Sequence, residues 1–300
     1  MKPTTAGRPR AGRIDRRRFV RTSASFAAGA LLSSCRSSGE HPIYYELHGP
    51  ADGIPLFLGF PIMASYAEIF GPEMASVKSG YLDMLTDRYR VLLVDYPNIG
   101  RTHTPPPSEM TPDRVRADML AVADAAGFER FAYCGHLWGA INGLVLASAT
   151  HRVTALVCGT WPPLGAPYPD MLRGVEVQLA EPPPHAMVIL RDPAQYAQWH
   201  TFYSGMQEWP ETEVAAAVTC PRLALIGSEA ESSVADIPLR LVERMREARP
   251  TLEEMGWDVR EIPGAGAAAM LEPGVMIPEV RGWLDGLGLT PEAERTATRR

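Results

Sequence analysis

Past His200 the 300-residue chain contains no histidine. Its last third therefore offers no imidazole as a general base or a metal ligand. Cysteine is sparse: Cys35, Cys134, Cys158 and Cys220 form no Cys-x-x-Cys pair and no zinc-finger spacing, so neither metal nor cofactor is indicated. A disulfide among Cys134, Cys158 and Cys220 stays open. The weakly apolar run Phe26–Leu32 is too short to span a bilayer as a helix, and no internal repeat stands out. Positive charge is thin outside the amino-terminal segment. Residues 1–35 hold eight Lys/Arg and one Asp, contributing +7 to a total of −6, so residues 36–300 carry −13. An acidic body repels phosphates, which argues against a nucleic-acid partner.

What is present describes a globular chain: 46% hydrophobic and 21% charged residues, enough to build a core without staples. The 28 Pro and 26 Gly indicate long loops rather than disorder.

Residues 1–35 read as an address. A basic stretch precedes the short apolar run, Asp15–Val20 ("DRRRFV") resembles a twin-arginine export motif, and Leu32–Cys35 ("LSSC") resembles a bacterial lipobox. The expectation is export by the twin-arginine route to the cell envelope or periplasm. Membrane attachment is expected only through a lipid on Cys35, and residues 1–40 are expected to lie outside the fold.

Beyond them, strands and helices alternate. Strands are predicted at Ile43–Gly49, Ile54–Phe60, Tyr89–Pro97, Arg130–His136, Val153–Trp161, Pro221–Gly227 and Trp257–Gly264. Helices are predicted at Met74–Arg88, Thr111–Gly127, Gly139–Thr150, Ala235–Arg249 and Gly274–Gly288, the last bent early by Pro278. This order predicts an α/β fold: a mainly parallel, doubly wound sheet with helices on both faces and its site at the strands' carboxyl ends. Residues 162–219 break the alternation for too long to be a plain loop and read as a small helical cap. Residues 289–300 read as a frayed tail.

One stretch carries the functional question: "AYCGHLWGA", Ala132–Ala140. Its Gly135 and Gly139 have the small-x-x-x-small spacing of a nucleophile elbow. With "YYELHGPADGIPLFLGFP", "YRVLLVDYPNIGRT", "CPRLALIGSEA" and "EIPGAGAAAM", it resembles the α/β-hydrolase superfamily over residues 42–288. That resemblance implies a Ser nucleophile at the elbow tip, an acid after the Pro221–Gly227 strand and a His after the last strand. The three positions hold Leu137, Ala230 and Ala267. An aliphatic side chain has no lone pair with which to form a covalent intermediate, so ordinary serine-hydrolase activity is not expected.

The resemblance also implies an oxyanion hole from the backbone amides of Phe60 and Trp138, with Leu58 where the family often carries His. The expected floor is Leu137, Ala230 and Ala267, an apolar pocket for a small apolar or carbonyl-bearing ligand. His103, His136, Trp161 and His200 are further pocket candidates, though His136 is better explained by packing. Cys134 has no evident base, Asp95 matches a turn residue, and Glu229, Glu231 and Asp236 read as surface charges. Two readings remain. One is an exported pseudo-hydrolase that binds a small ligand or a protein partner. The other is an enzyme of altered chemistry (isomerase, lyase or slow ester hydrolase) that uses the retained amides with His103 or His200 as base.

Overall fold

The computed structural model describes residues 31–36, 42–102 and 105–291. Its strands are β1 (Leu31–Arg36), β2 (Pro42–His48), β3 (Ile54–Leu58), β4 (Tyr89–Val94), β5 (Phe131–His136), β6 (Val153–Gly159), β7 (Arg222–Glu229), β8 (Ser233–Val234), β9 (Ile237–Pro238) and β10 (Asp258–Gly266). The α-helices are α1 (Tyr66–Phe70), α2 (Ala75–Asp83), α3 (Pro112–Ala125), α4 (Trp138–Ala149), α5 (Tyr168–Gln178), α6 (Pro184–Ile189), α7 (Ala197–Gly205), α8 (Glu211–Ala217), α9 (Leu241–Glu254) and α10 (Pro273–Gly286).

Strands β3, β5 and β6 are buried at every residue, and so their sequences read as continuous apolar runs rather than alternating ones. They lie at the centre of an eight-stranded sheet ordered β1-β2-β4-β3-β5-β6-β7-β10. From β4 to β10 every neighbouring pair is parallel, while β2 runs antiparallel to both β1 and β4. One face packs on α2 and α10 through Tyr81, Met276, Val280 and Trp283. The other packs on α3, α4 and α9 through Val115, Ile141 and Met245. The expected doubly wound, mainly parallel sheet is therefore observed.

Helix α3 shows how local chemistry sets the boundaries. Thr111 Oγ1 accepts from the Arg114 amide at 3.2 Å, Pro112 occupies the first turn, and Gly127 (φ 73°) ends the run. Helices α5–α8 fill the interval between β6 and β7. They dock on the turn after β4: Ile99 bridges to Leu190, Asn98 Nδ2 donates to Gln198 Oε1 at 2.5 Å, and the Arg191 guanidinium donates to the carbonyls of Gly100 and of Thr102, the latter at 2.8 Å.

Two expectations are corrected. Residues 31–36 lie inside the fold: β1 pairs in register with β2, from Leu31 opposite Leu47 to Arg36 opposite Pro42. The helix expected at Ala235–Arg249 starts at Leu241. Ala235 (φ 47°) and Asp236 (φ 61°) turn the chain into the β8–β9 hairpin, and Arg240 (φ 50°) delays the helix further. The helix then continues through Pro250. The twin-arginine segment before residue 31, His103 and the tail from residue 292 lie outside the described residues.

Candidate functional site

The sharp turn between β5 and α4 is built by two glycines. A Cβ on Gly135 would stand 2.6 Å from the Gly139 carbonyl carbon, and one on Gly139 would stand 2.3 Å from the Phe60 carbonyl oxygen. No side chain fits either position, which is the physical content of the small-x-x-x-small spacing. At the tip, Leu137 has φ 49° and ψ −118°, a conformation that costs a non-glycine residue about 1–3 kcal/mol. Its amide donates to the Gly159 carbonyl at 2.9 Å, and the His136 amide donates to the Phe60 carbonyl at 2.8 Å. The strained elbow is thus held from β6 and from the loop after β3, with an aliphatic side chain at its tip.

The other two positions also stand at carboxyl ends of strands. Ala230 follows β7 directly and is 1% exposed, with its amide donating to the Gly227 carbonyl at 3.1 Å. Ala267 follows β10 and is half-buried. Glu229, Glu231 and Asp236 are exposed.

Above the elbow is a cavity of about 250 Å³ whose wall is mainly apolar. Its base is Phe60, Leu137, Trp138 and Trp161; cap residues such as Val175, Ile189, Tyr196, Trp199 and Tyr203 close it. Trp138 anchors an aromatic cluster, with its ring centroid 4.7 Å from Tyr96, 5.2 Å from Trp199 and 5.4 Å from Phe202.

The expected floor therefore changes: Leu137 lines the cavity, but Ala230 and Ala267 do not. Of the further candidates, Trp161 lines it. His136 lies beneath it, fully buried against Gly159, with neither ring nitrogen hydrogen-bonded and its imidazole pushed down by burial to about 4. His200 is outside the lining, on the cap, 3.7 Å from Glu176. Sequence reading missed Gln178, His185, Ser232 and Ser233, the polar members of the wall. Ser232 and Ser233 enter through the β8–β9 hairpin that displaced the expected helix.

The two amides expected to form an oxyanion hole differ in their surroundings. The Phe60 amide already donates to Tyr96 Oη at 3.1 Å. Tyr96 is buried, and desolvation pushes its hydroxyl up to about 12, so it stays neutral. Trp138 is the first residue of α4, where a backbone N–H has no acceptor within its own helix. No sequence rule signals that a tyrosine in the β4 turn reaches the amide after β3.

The described cysteines offer no ready thiolate nucleophile. Cys134, Cys158 and Cys220 are free thiols, and burial pushes Cys134 up to about 12. Among the described residues no group of three or more His, Cys, Asp or Glu is placed to hold a metal ion.

Comparisons with known proteins agree with this fold. A family model described as the alpha/beta hydrolase fold matches residues 77–180. A putative carbamate hydrolase RutD of Azorhizobium caulinodans is 33% identical over 119 residues, a stretch that spans 39% of this chain and 40% of that protein. Among solved structures, a thermophilic esterase from Thermogutta terrifontis superposes with TM-score 0.61 at 20% identity, covering 86% of this chain and 99% of that one. An enol-lactonase from Burkholderia xenovorans superposes with TM-score 0.60 at 18% identity, covering 84% and 100%.

Proposed function

We propose that this chain, which has the α/β-hydrolase fold, is a pseudo-hydrolase: it binds a small apolar ligand bearing a carbonyl group and does not turn it over by the serine route. One observation carries the reading. The elbow keeps its strained backbone, its two required glycines and its supports, while its tip is Leu137 and the acid and base positions are Ala230 and Ala267. A fold that holds the turn without the reagents supplies a binding site, not a covalent catalyst.

The cavity favours an apolar body, and the Trp138 amide, at the first position of α4, offers a donor to a carbonyl oxygen. The likeness to a putative carbamate hydrolase fits a carbonyl-bearing ligand of that kind. The envelope or periplasmic location and the lipid on Cys35 belong to the same proposal.

The test is to titrate the full chain with a short-chain aryl ester or carbamate, following tryptophan fluorescence while assaying released phenol. Saturable quenching from Trp138, Trp161 or Trp199 without phenol above buffer is the expected result. Phenol released at many equivalents per chain contradicts the proposal. It would direct attention to His185, Ser232 and Ser233, the polar groups of the same wall.

A further inference from the structure

Six aromatic side chains line the cavity: Phe60, Trp138, Trp161, Tyr196, Trp199 and Tyr203. Tyr196, Trp199 and Tyr203 recur at helical spacing, so α7 and the residue before it bring one aromatic face to the cap side of the wall. Neighbouring rings stand nearly at right angles, Phe60 to Trp138 at 84° and Trp138 to Trp199 at 81°. Two such walls turn their edges to a common point only along the line where their planes meet. Elsewhere in the cavity at least one of each pair presents part of its face. An aromatic face is the negative side of the ring quadrupole and attracts a cation.

Charge around the mouth has the matching sign. Residues 162–219, which hold the cap, contain seven Asp/Glu and two Arg, a net charge of −5. Glu176 and Glu181 are exposed on either side of the lining residue Gln178 in sequence, and Glu231 is exposed beside Ser232. Basic side chains next to the lining are engaged elsewhere: Arg173 with Asp170 at 2.8 Å, Arg191 with the Thr102 carbonyl at 2.8 Å and Arg240 with Glu243 at 3.9 Å. The field over the entrance therefore draws cations inward.

Inside, the wall has no Lys or Arg to repel a cation, and no Asp or Glu to accept from an ammonium or guanidinium. Gln178 Oε1 already accepts from Tyr196 Oη at 2.6 Å. A primary ammonium would lose its water here without regaining acceptors for its N–H groups. A quaternary ammonium has no N–H to satisfy, and methyl groups cover its charge. It is the cation that an aromatic wall can desolvate. The amino end of α4 fixes its direction: that end is positive, so it disfavours a cation beside Trp138 and favours an oxygen there.

We propose that the cavity binds a small quaternary ammonium compound, its trimethylammonium group against the cap rings Tyr196, Trp199 and Tyr203 and its oxygen end toward the Trp138 amide. The inference rests on the proposed reading of the cavity as a ligand site with Trp138 as donor, and adds a charged end to the ligand.

The experiment compares choline with 3,3-dimethylbutan-1-ol, in which carbon replaces the charged nitrogen, by isothermal titration calorimetry on the full chain. Choline should bind at least about tenfold more tightly, as a desolvated cation–π contact requires. Trp199→Leu keeps an apolar side chain and should remove most of that preference, while Trp199→Phe keeps a ring and should restore it. The neutral alcohol reports on folding, and its affinity should be unchanged in both variants. Glu176→Gln/Glu181→Gln, on exposed positions, should weaken choline alone and reduce its salt dependence. Equal affinity for the two compounds, no choline binding, or a preference that Trp199→Leu leaves intact overturns the proposal. The ester and carbamate titration separates this inference from the reading it rests on. Saturation by the neutral ester with no choline preference removes only the cation. Choline binding with no saturation by the neutral ester keeps the cation and removes the apolar ligand.

Discussion

Gly139 lies so close to Phe60 that a Cβ at Gly139 would stand 2.3 Å from the Phe60 carbonyl oxygen. That carbonyl accepts from the His136 amide at 2.8 Å, so the loop after β3 and the elbow cannot part without losing a buried hydrogen bond. Gly139→Ala is expected to cost more than about 3 kcal/mol in urea unfolding, or to prevent folding. Gly282 in α10 is the control, because a Cβ there meets nothing within 4 Å. Gly282→Ala should stabilise by up to about 1 kcal/mol. Equal, small effects at both sites would contradict the packing argument.

His136 makes stability depend on pH. Burial holds its folded-state imidazole at about 4, below the ordinary 6.5. Between those values the unfolded chain binds a proton that the folded chain refuses. The stability is complete above 6.5 and is lost as pH falls through 4. Unfolding free energy measured from pH 7 to 4 should therefore decline, and His136→Asn should flatten that decline. An unchanged slope would mean that other groups produce it.

Glu46 acts in a lower window. Burial pushes its carboxyl up, but hydrogen bonds from His48 and Lys78, the Lys78 charge and a hydrogen bond from Tyr44 outweigh burial and hold it at about 2. Lys78 Nζ is 2.5 Å from Glu46 Oε2, and it also donates to the Ala64 carbonyl, tying α2 and the loop after β3 to β2. The contribution is complete above pH 4.5 and disappears as pH falls toward 2, on the order of 2–3 kcal/mol. Glu46→Gln should be less stable at pH 7 and flatter between pH 4.5 and 2. Lys78→Met should be worse still, because it leaves a buried carboxylate without its cation.

Asn98 and Gln198 fasten the cap to the body through a buried 2.5 Å hydrogen bond. Asn98→Gly keeps the positive φ of 69° available but leaves Gln198 Oε1 buried without its donor. A loss of about 1–3 kcal/mol is expected, with faster proteolysis between α5 and α8 than at the sheet. Uniform protection in both regions would show that the cap does not depend on this contact.

The sequence exposed the parts of this account that depend on short-range rules. Gly135 and Gly139 announce the elbow because no Cβ fits either position. The apolar runs of β3, β5 and β6 announce central parallel strands because both faces are covered. Leu137, Ala230 and Ala267 were legible by position. What escaped notice depends on distant partners. Whether Leu31–Arg36 forms a strand is decided by an available edge at β2, and a signal-like composition masks it. Nothing near Tyr96 reveals that its hydroxyl reaches the Phe60 amide. His185, Ser232 and Ser233 reach the cavity through a cap helix and a hairpin that helical periodicity around Ala235 concealed.

The central claim is that an intact elbow has lost its reagents, and Leu137→Ser/Ala230→Asp/Ala267→His tests it most directly. Nitrophenyl acetate hydrolysis by this variant should exceed the natural chain, with a burst approaching one nitrophenolate per molecule, while the natural chain stays at the buffer rate. Turnover by the natural chain at the variant's rate, or a correctly folded variant with no burst, would contradict the account.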